Sequence, residues 1–297
     1  MSAVTTTTSG RALPAGPAIP DVPAVRRRRS VVVYVSYTWL AAIVLSAVLA
    51  GLLPIATYDV PVGSSRLLPQ GGSIDLLLGT DSYGRSLLSR VVYGARVSLL
   101  IGVLAGLLGV FVGTALGLVG GYFGGRVDWF VTLVTDSMLA FPPLIMLLTL
   151  TAILSPSATT ITIGLAVVTV PTFVRLTRAT TISWASREFV RAAKNMGAGD
   201  ARILVKEIMP NVLPTLGAYF PIVVAAMIVA EGSLSFLGLG IPPPQPSWGG
   251  MIDEAKNSIA TNPHLVFVPA AVIFLTVFSL NQVGDHLRRR FDRTLQD

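Results

Sequence analysis

The 297-residue chain is strongly apolar: hydrophobic residues make up 52% of it, charged residues only 12%, and its mean hydropathy is +0.70. Soluble domains carry about 25% charged residues, so the composition predicts a protein that crosses a membrane several times. The net charge of +7 lies in short segments between apolar runs, which fits positively charged membrane loops and excludes a nucleic-acid partner. With no cysteine, the chain has no disulfide, thiolate nucleophile or cysteine-ligated metal.

The N-terminal segment 1–29 predicts a disordered cytoplasmic tail, because it is rich in Thr, Ser, Ala and Pro and has no apolar period. It ends in the arginine run Arg26–Arg29. The apolar segment 30–56 follows, and a signal peptide is one reading of arginines before an apolar run. This run is longer than a typical signal core and no A-x-A pattern follows it. We therefore expect a first transmembrane helix with its N-terminus in the cytoplasm.

The rest of the chain alternates between apolar spans and polar connections. Segment 57–96 predicts an external loop whose second half forms an amphipathic helix along the surface. Segment 97–284 predicts a core of five more helices, with a charged elbow at 187–210 and an external loop at 238–264. Segment 285–297 is expected to be a cytoplasmic tail. The predicted spans of the core are Val97–Val119, Val131–Leu154, Thr159–Leu176, Val212–Leu237 and Leu265–Val283.

A count of six spans agrees with the distribution of basic residues. It places 17 of the 22 Lys and Arg residues on the side of both termini, as the positive-inside rule requires. Prolines are expected to interrupt the third span at Pro142-Pro143 and the fourth at Pro171. The predicted fold class is an all-α membrane protein with six transmembrane helices.

The elbow 187–210 is the most polar stretch among the core spans and predicts a helix–turn–helix. Gly197 is expected to end the first helix with a positive φ, Asp200 to cap the second, and Pro210 to bound it. A helix this short is marginal in water unless it packs against something, so we expect it to dock on a partner or lie on anionic lipid. The first helix carries one apolar stripe and a basic face, formed respectively by Phe189, Ala192, Ala193 and Met196, and by Arg187, Arg191 and Lys194.

Glycine recurs every fourth residue along and beyond the second span. In lipid such a stripe lets another helix approach closely, whether from the same chain or from a second subunit. The stripe comprises Gly109, Gly113, Gly117, Gly121 and Gly125.

Two acidic residues within spans are candidates for the transport pathway. Acidic residues in transmembrane helices are costly and usually face a cavity or a partner. Asp136 and Glu231 both lie near span ends, so reaching the membrane surface and pairing locally are the alternatives to a pathway role. In the external loop, Trp248, Met251 and Ile252 predict an amphipathic stripe that contacts an external protein.

Enzyme motifs are missing from the sequence. None of the three lysines follows the glycine of a P-loop, and no metalloprotease, EF-hand or nucleophile-elbow motif occurs. The chain is therefore not expected to be an enzyme, to bind a metal or to hold a cofactor of its own. ATP-driven transport would require a separate ATPase.

The elbow resembles a known motif. Arg191-Ala192-Ala193, Gly197 and Met209-Pro210 are similar to the E-A-A-x3-G…L-P motif of ABC importer permeases. The resemblance covers about 75–295 and looks specifically like the C-type permease subunit of dipeptide and oligopeptide (peptide/nickel) importers. Its other motifs lie at 79–96, 120–125, 140–142, 231–240 and 246–249.

This resemblance implies the type I importer permease fold, with cytoplasmic coupling helices that dock on an ABC ATPase. It implies that the chain lies in the cell membrane and has three kinds of protein partner: a homologous B-type permease, one or two ATPase subunits that bind ATP and Mg²⁺, and an extracytoplasmic substrate-binding protein. The motif's leading glutamate is replaced by Arg191, and Glu188, one turn earlier, is expected to take its role. The implied coupling residues are Glu188, Phe189, Arg191, Ala192, Ala193, Met196, Gly197, Asp200 and Pro210.

The implied substrates are di- and oligopeptides. Nickel, glutathione and some glycosides are imported by the same subfamily, so they remain alternatives. A secondary transporter is a distant alternative, because it predicts inverted repeats and ionisable groups near the membrane midplane, neither of which is evident in the sequence.

Overall fold

The computed structural model describes residues 31–294, so the predicted tail at 1–29 lies outside the described residues. Within this range the backbone forms nine helices of eight or more residues, two short 3-10 helices at Ile74–Leu76 and Lys256–Ser258, and no β-strand. The helices are α1 (Val31–Val48), α2 (Leu87–Phe123), α3 (Gly125–Ala140), α4 (Pro143–Ile153), α5 (Ala158–Ala185), α6 (Glu188–Asn195), α7 (Asp200–Leu239), α8 (Trp248–Ala255) and α9 (His264–Thr294).

Five of these helices, α1, α2, α5, α7 and α9, are long and apolar enough to cross a membrane. The pair α3 and α4 passes the same test together, although the two helices are bent by 83°. The bend falls at Phe141-Pro142, because proline lacks an N–H group and disfavours helical backbone in the residue before it. The predicted third span is therefore a sharply broken pair of helices, which brings the number of candidate spans within 31–294 to six.

The first predicted span is too long. Helix α1 ends at Val48 rather than at residue 56, ahead of Gly51 and Pro54, which are poor helix formers. The Arg96 side chain satisfies two of its terminal carbonyl groups, because Nε donates to Ala47 O at 2.9 Å and Nη2 to Val48 O at 3.0 Å.

The amphipathic surface helix predicted within 57–96 is wrong. Those residues are the first turns of α2, which begins at Leu87 after the N-cap Ser86, and the Arg90 side chain is only 2% exposed. Arg90 donates to both carboxylate oxygens of Glu254, at 2.6 and 3.0 Å, and also pairs with Asp81. Arg90 can be buried because two carboxylates neutralise its charge: Asp81, which is nearby in the chain, and Glu254, which is distant in the chain.

The predicted break of the fourth span at Pro171 is wrong. Helix α5 runs without a break through Pro171 to Ala185, because membrane helices tolerate proline where neighbouring helices pack around it. Arg175 and Arg178, which lie next to the predicted end of this span at Leu176, pair with carboxylates of α3. The predicted cytoplasmic tail at 285–297 is helical as far as Thr294, as a continuation of α9.

Helices α2 and α5 make the most extensive contact in the bundle, and the glycine stripe of α2 lies in it. A Cβ atom at Gly113 would lie 2.5 Å from the Phe173 Cβ atom, and one at Gly117 would lie 2.6 Å from the Thr177 Cβ atom. Gly109 and Gly121 are equally close to α5. The stripe therefore faces a helix of the same chain rather than a second subunit. Gly125 lies outside it, because it begins α3 with φ +55° and open space around it.

Candidate coupling site

The elbow has the turn that the sequence predicts. Gly197 has φ +83°, its N–H group donates to Lys194 O, and the Ala198 N–H group donates to Ala193 O, each at 3.0 Å. These two bonds are the Schellman arrangement that ends a helix and satisfies its last carbonyl groups. A Cβ atom at Gly197 would meet nothing within 4 Å, so backbone conformation rather than space requires glycine.

The apolar residues of α6 divide between two faces. Val190 and Ala193 are 4% and 7% exposed and pack in the core with Ile203 and Ile208. Phe189, Ala192 and Met196 point outward, and Met196 is 81% exposed. The predicted single stripe is therefore wrong for Ala193, because that residue holds α6 against the bundle.

Charged and aromatic side chains surround the outward face. Glu188 lies in the first turn of α6, where the helix dipole favours a negative charge, and Arg191 follows one turn later; both are exposed. The Phe189 ring lies against the Trp184 ring with centroids 6.1 Å apart, and the Arg187 guanidinium lies 5.3 Å from the centroid of the same indole. The end of α5 thus supports the start of α6.

Asp200 does not cap the second helix of the elbow. The N-cap is Gly199, and Asp200 Oδ1 instead accepts a hydrogen bond of 2.6 Å from the Tyr122 hydroxyl of α2. Pro210 does not bound the elbow either, because α7 continues through it into the fifth span after a widened π-type stretch at Ile203–Ile208. Buried Ile203 and Ile208 hold this part of α7 in the same core as α6, so the elbow packs directly against the start of a candidate membrane span.

The two acidic residues predicted for the pathway have opposite environments. Asp136 is exposed and pairs with Arg175 of α5, with 2.7 Å between Asp136 Oδ1 and Arg175 Nη2. Glu231 is 1% exposed and accepts hydrogen bonds from Ser98 Oγ and Ser235 Oγ at 3.1 and 2.8 Å. Of the alternatives left open for Glu231, the structure supports local pairing rather than contact with the membrane surface, because hydroxyl groups of α2 and α7 satisfy it inside the protein.

The predicted contact with an external protein is wrong for two of its three residues. Trp248 and Met251 are 0% and 3% exposed, and the Trp248 indole Nε1 donates to Val91 O of α2 at 3.0 Å. The apolar stripe of α8 thus packs against the bundle because that face meets the start of α2. Only Ile252 of the three is partly exposed.

Comparison with protein families then decides the class of protein. Residues 97–296 match the family model described as "Binding-protein-dependent transport system inner membrane component". The matched range begins within α2, continues to the end of α9 and includes the whole elbow. The chain belongs to this family.

Curated relatives and solved structures agree with the assignment. The glutathione transport system permease protein GsiD of Pectobacterium atrosepticum is 34% identical over 77% of this chain and 76% of its own length. The protein of the same name from Escherichia coli is 37% identical over 76% and 74%. An inward-facing structure of the MetNI methionine ABC transporter matches 69% of this chain and 97% of its own with a TM-score of 0.57; at 18% identity it shows a shared fold.

Membership defines the role of the chain. It is an inner-membrane, multi-pass permease subunit of an ABC importer, and it has no catalytic activity of its own. Its family works with a substrate-binding protein and with an ATPase that hydrolyses ATP. The permease must therefore pass the state of its ATPase to the membrane helices.

Sequence reasoning missed three residues of the elbow and its surroundings. Val190 was missed because it lies off the apolar stripe, and Tyr122 because nothing in the sequence relates it to Asp200. Arg175 had a signal: an arginine in one predicted span and the carboxylate of Asp136 in the preceding one are natural partners in a low-dielectric environment.

Proposed function

We propose that this permease imports short peptides, glutathione among them, through a pathway that it forms together with a homologous B-type subunit. The relatives named as glutathione permeases and the sequence motifs of the peptide/nickel subfamily support this substrate class. Nickel or another small solute is the second candidate, because the same subfamily imports such solutes.

The elbow is the docking element for the ATPase, and one observation carries this part of the proposal. Helix α6 is held to the bundle by buried Val190 and Ala193, yet it exposes Phe189 and most of Met196 to the outside. Large apolar side chains on a short, rigidly held, charged helix are typical of a surface that a partner covers. Glu188 and Arg191 border this surface and select the partner by charge.

The elbow and both termini face the cytoplasm in this proposal, where the ATPase binds ATP and Mg²⁺. The distribution of Lys and Arg supports this orientation, since 17 of 22 then lie on the cytoplasmic side. On the opposite side, partly exposed Ile252 remains a candidate contact for the substrate-binding protein.

Coupling follows from the continuity of α6, the Gly197 turn and α7. Closure of the ATPase dimer on ATP moves α6, and α7 moves with it because the two helices share a packed core. The paired bundles then change between an inward-facing and an outward-facing state. This requires the elbow to make different contacts with the ATPase in the two states.

Purification of the complex tests the role, and ATPase stimulation tests the substrate. The tagged permease is expected to co-purify with a P-loop ATPase and a second permease. In proteoliposomes with the binding protein, a dipeptide or glutathione should stimulate ATP hydrolysis and Ni²⁺ should not. Stimulation by Ni²⁺ alone would replace the peptide proposal, and solute transport by the purified chain without an ATPase would contradict the coupling proposal.

A further inference from the structure

Three stretches of the sequence that resemble importer motifs meet in one buried cluster at the start of α8. These stretches are 79–96, 231–240 and 246–249. The Trp248 side chain is fully buried, and its indole Nε1 donates to Val91 O of the first stretch at 3.0 Å. A Cβ atom at Gly249 would lie only 2.5 Å from the Cα atom of Gly232 in the second stretch. None of the three stretches belongs to the elbow, so ATPase docking does not account for their close packing.

Glu231 takes part in this cluster through a relay of hydrogen bonds. The Trp248 N–H group donates to Ser98 Oγ of α2, and Ser98 Oγ donates to Glu231 Oε2 of α7, each at 3.1 Å. Ser235 Oγ donates to the other carboxylate oxygen at 2.8 Å. Glu231 is 1% exposed, and no ion pair within residues 31–294 includes it. Because hydrogen bonds alone stabilise this buried carboxylate, its position is tied to Ser98 and to the start of α8.

The cluster lies at the opposite end of the bundle from the elbow. Helices α2 and α7 make polar contacts at two levels, Tyr122–Asp200 beside the elbow and Ser98–Glu231 in the cluster. At 1.5 Å per residue, Ser98 and Tyr122 are about 36 Å apart along one unbroken helix. This separation is similar to the thickness of the hydrocarbon core of a bilayer, about 30 Å. With the elbow on the cytoplasmic side, as proposed, the cluster and α8 face the outside.

Helix α8 is attached to α2 near both of its ends. At its start, Trp248 donates to α2 from its backbone nitrogen and from its indole nitrogen. Near its end, Glu254 accepts from Arg90 of α2 at 2.6 and 3.0 Å. Partly exposed Ile252, the candidate contact for the substrate-binding protein, lies between these attachments. Helices α2 and α8 therefore form one unit that carries this surface, and Glu231 links the unit to α7.

We propose that Glu231 is a positioning residue for transport, which makes α8 follow the outer end of α7 when ATP binding moves the elbow. This inference rests on the proposed docking of the ATPase on the elbow. Helix α7 is continuous from Asp200 to Leu239, so it reaches from the elbow to the cluster. A displacement travels through packed and hydrogen-bonded contacts, and the directional bonds of Glu231 make α8 follow α7 in orientation as well as in position. The state of the ATPase is thereby passed to the surface that meets the substrate-binding protein.

A spin label beside α8 tests whether this segment responds to ATP. The chain has no native cysteine, so Ile259→Cys, at a 48% exposed position shortly after α8, takes a single nitroxide label. The complex is assembled in nanodiscs with cysteine-free partner subunits. We expect its electron paramagnetic resonance spectrum to differ between the nucleotide-free state and the state trapped with ATP and vanadate. Identical spectra in the two states would overturn the proposal.

Two serine substitutions separate the link from general effects on the bundle. Ser98→Ala removes both bonds of the relay but leaves the bond from Ser235 to Glu231. We expect it to abolish the ATP-dependent spectral change and to keep the nucleotide-free spectrum. Ser233→Ala is the matched control and should keep the change, because the Ser233 hydroxyl donates to Val229 O of its own helix. Equal effects of the two substitutions, or a Ser98→Ala complex that keeps the ATP response and alters only the nucleotide-free spectrum, would overturn the proposal.

Substitution of Glu231 tests whether hydrogen bonding carries the role. Glu231→Gln keeps the size of the side chain and an oxygen that accepts from Ser98, so it should retain the spectral change, whereas Glu231→Ala should lose it. Retention of the change in Glu231→Ala, or an equal loss in both variants, would overturn the proposal. If Glu231→Ala does not assemble, the comparison of Ser98→Ala with Ser233→Ala still decides.

The outcomes separate this inference from the proposed function. If the native permease does not bind an ATPase, the coupling proposal fails and this inference fails with it. If the ATPase binds and hydrolyses ATP while the label at position 259 gives the same spectrum in both states, only the role of Glu231 fails. Neither result depends on which solute is imported.

Discussion

The Tyr122 hydroxyl donates a hydrogen bond to Asp200 Oδ1 across 2.6 Å, and it joins the last turn of α2 to the first turn of α7. The elbow is therefore attached to the bundle by the packed core under α6, by the Trp184 contacts at the end of α5 and by this polar contact. Helix α2 is also the helix that makes the most extensive contact with α5. Through these contacts we expect a displacement of the elbow to reach α2 and α5 as well as α7.

Removing the Tyr122 hydroxyl should weaken coupling without unfolding the protein. A hydrogen bond to a charged group contributes about 1.5–3 kcal/mol when buried, and this exposed one less. We expect Tyr122→Phe to hydrolyse more ATP per peptide imported, measured in proteoliposomes. Tyr83→Phe is the control, because Tyr83 is exposed and lies in the loop before α2. Unchanged coupling in Tyr122→Phe would show that α7 alone carries the motion.

The Gly197 turn offers a test with a matched control two residues away. Left-handed backbone costs a non-glycine residue about 1–2 kcal/mol, so Gly197→Ala should loosen α6 although a Cβ atom there has open space. Gly199 also has open space but φ −71°, so Gly199→Ala should be tolerated. Hydrogen exchange should speed up across α6 only in Gly197→Ala, with a matching loss of ATPase binding. Equal exchange in both variants would mean that the positive φ is not limiting.

The features that could be predicted from the sequence are those that depend on residues close together in the chain. The break at Phe141-Pro142, the turn at Gly197 and the close packing of the glycine stripe follow from residues that are neighbours in the chain or in one helix. The burial of Arg90 depends on Glu254, which is far away in sequence, and no periodicity reveals it. For the same reason, the stripe of α8 could be recognised as apolar but not as buried under α2.

The elbow shows the same division. Its position and its turn could be predicted, because a charged stretch between apolar spans is conspicuous. The face of α6 that meets the bundle could not be predicted. Val190 and Ala193 are buried because they pack with Ile203 and Ile208 of α7, and the sequence of α6 alone does not show this contact. The partner of Asp200 could not be predicted either, because its contact with Tyr122 joins residues of two helices that are 78 residues apart in the sequence.

The α2–α5 contact should be the main determinant of stability. A methyl group at Gly113 or Gly117 would lie within 3 Å of α5 atoms, and such overpacking typically costs about 1–3 kcal/mol. Gly113→Ala and Gly117→Ala should lower the melting temperature in detergent. Gly217→Ala, in a helical position of α7 with nothing within 4 Å, should raise it slightly because alanine favours helix. A fall of similar size in all three variants would contradict the close-packing explanation.

The loop before α2 should make stability sensitive to acid. Burial alone would raise the pKa of the Asp81 carboxyl, but hydrogen bonds from the Arg85 backbone, the Arg90 side chain and the Tyr83 backbone outweigh burial and hold the pKa below its usual value. A lowered folded pKa means that the stabilisation is present above the unfolded pKa, about 3.9, and is lost as the pH falls through the folded value. The melting temperature should therefore fall as the pH drops below about 4.

Asp81→Asn isolates this contribution. The substitution leaves buried Arg90 with one fewer carboxylate, and breaking a buried ion pair typically costs about 3–5 kcal/mol. The remaining bonds to Glu254 reduce that cost. We expect a lower melting temperature at neutral pH and a flatter fall in acid than in the native chain. Asp59→Asn, at an exposed position of the same loop, should reproduce the native profile. An unchanged acid slope in Asp81→Asn would assign the sensitivity to other groups.

We expect Glu188 and Arg191 to determine how the permease pairs with its ATPase, because the residue at the motif's glutamate position is Arg191. Both side chains are exposed and lie one helical turn apart on α6, so an acidic group is available within reach of the same partner surface. We expect Glu188→Gln to weaken binding of the purified ATPase to the permease in nanodiscs by about 1 kcal/mol, a typical value for an exposed charge pair. Arg191→Gln should have a smaller effect. The difference should shrink at high salt, since screening weakens exposed ion pairs first. Equal effects of the two substitutions at low salt would mean that Glu188 does not replace the missing glutamate, and that docking depends on Phe189 and Met196 alone.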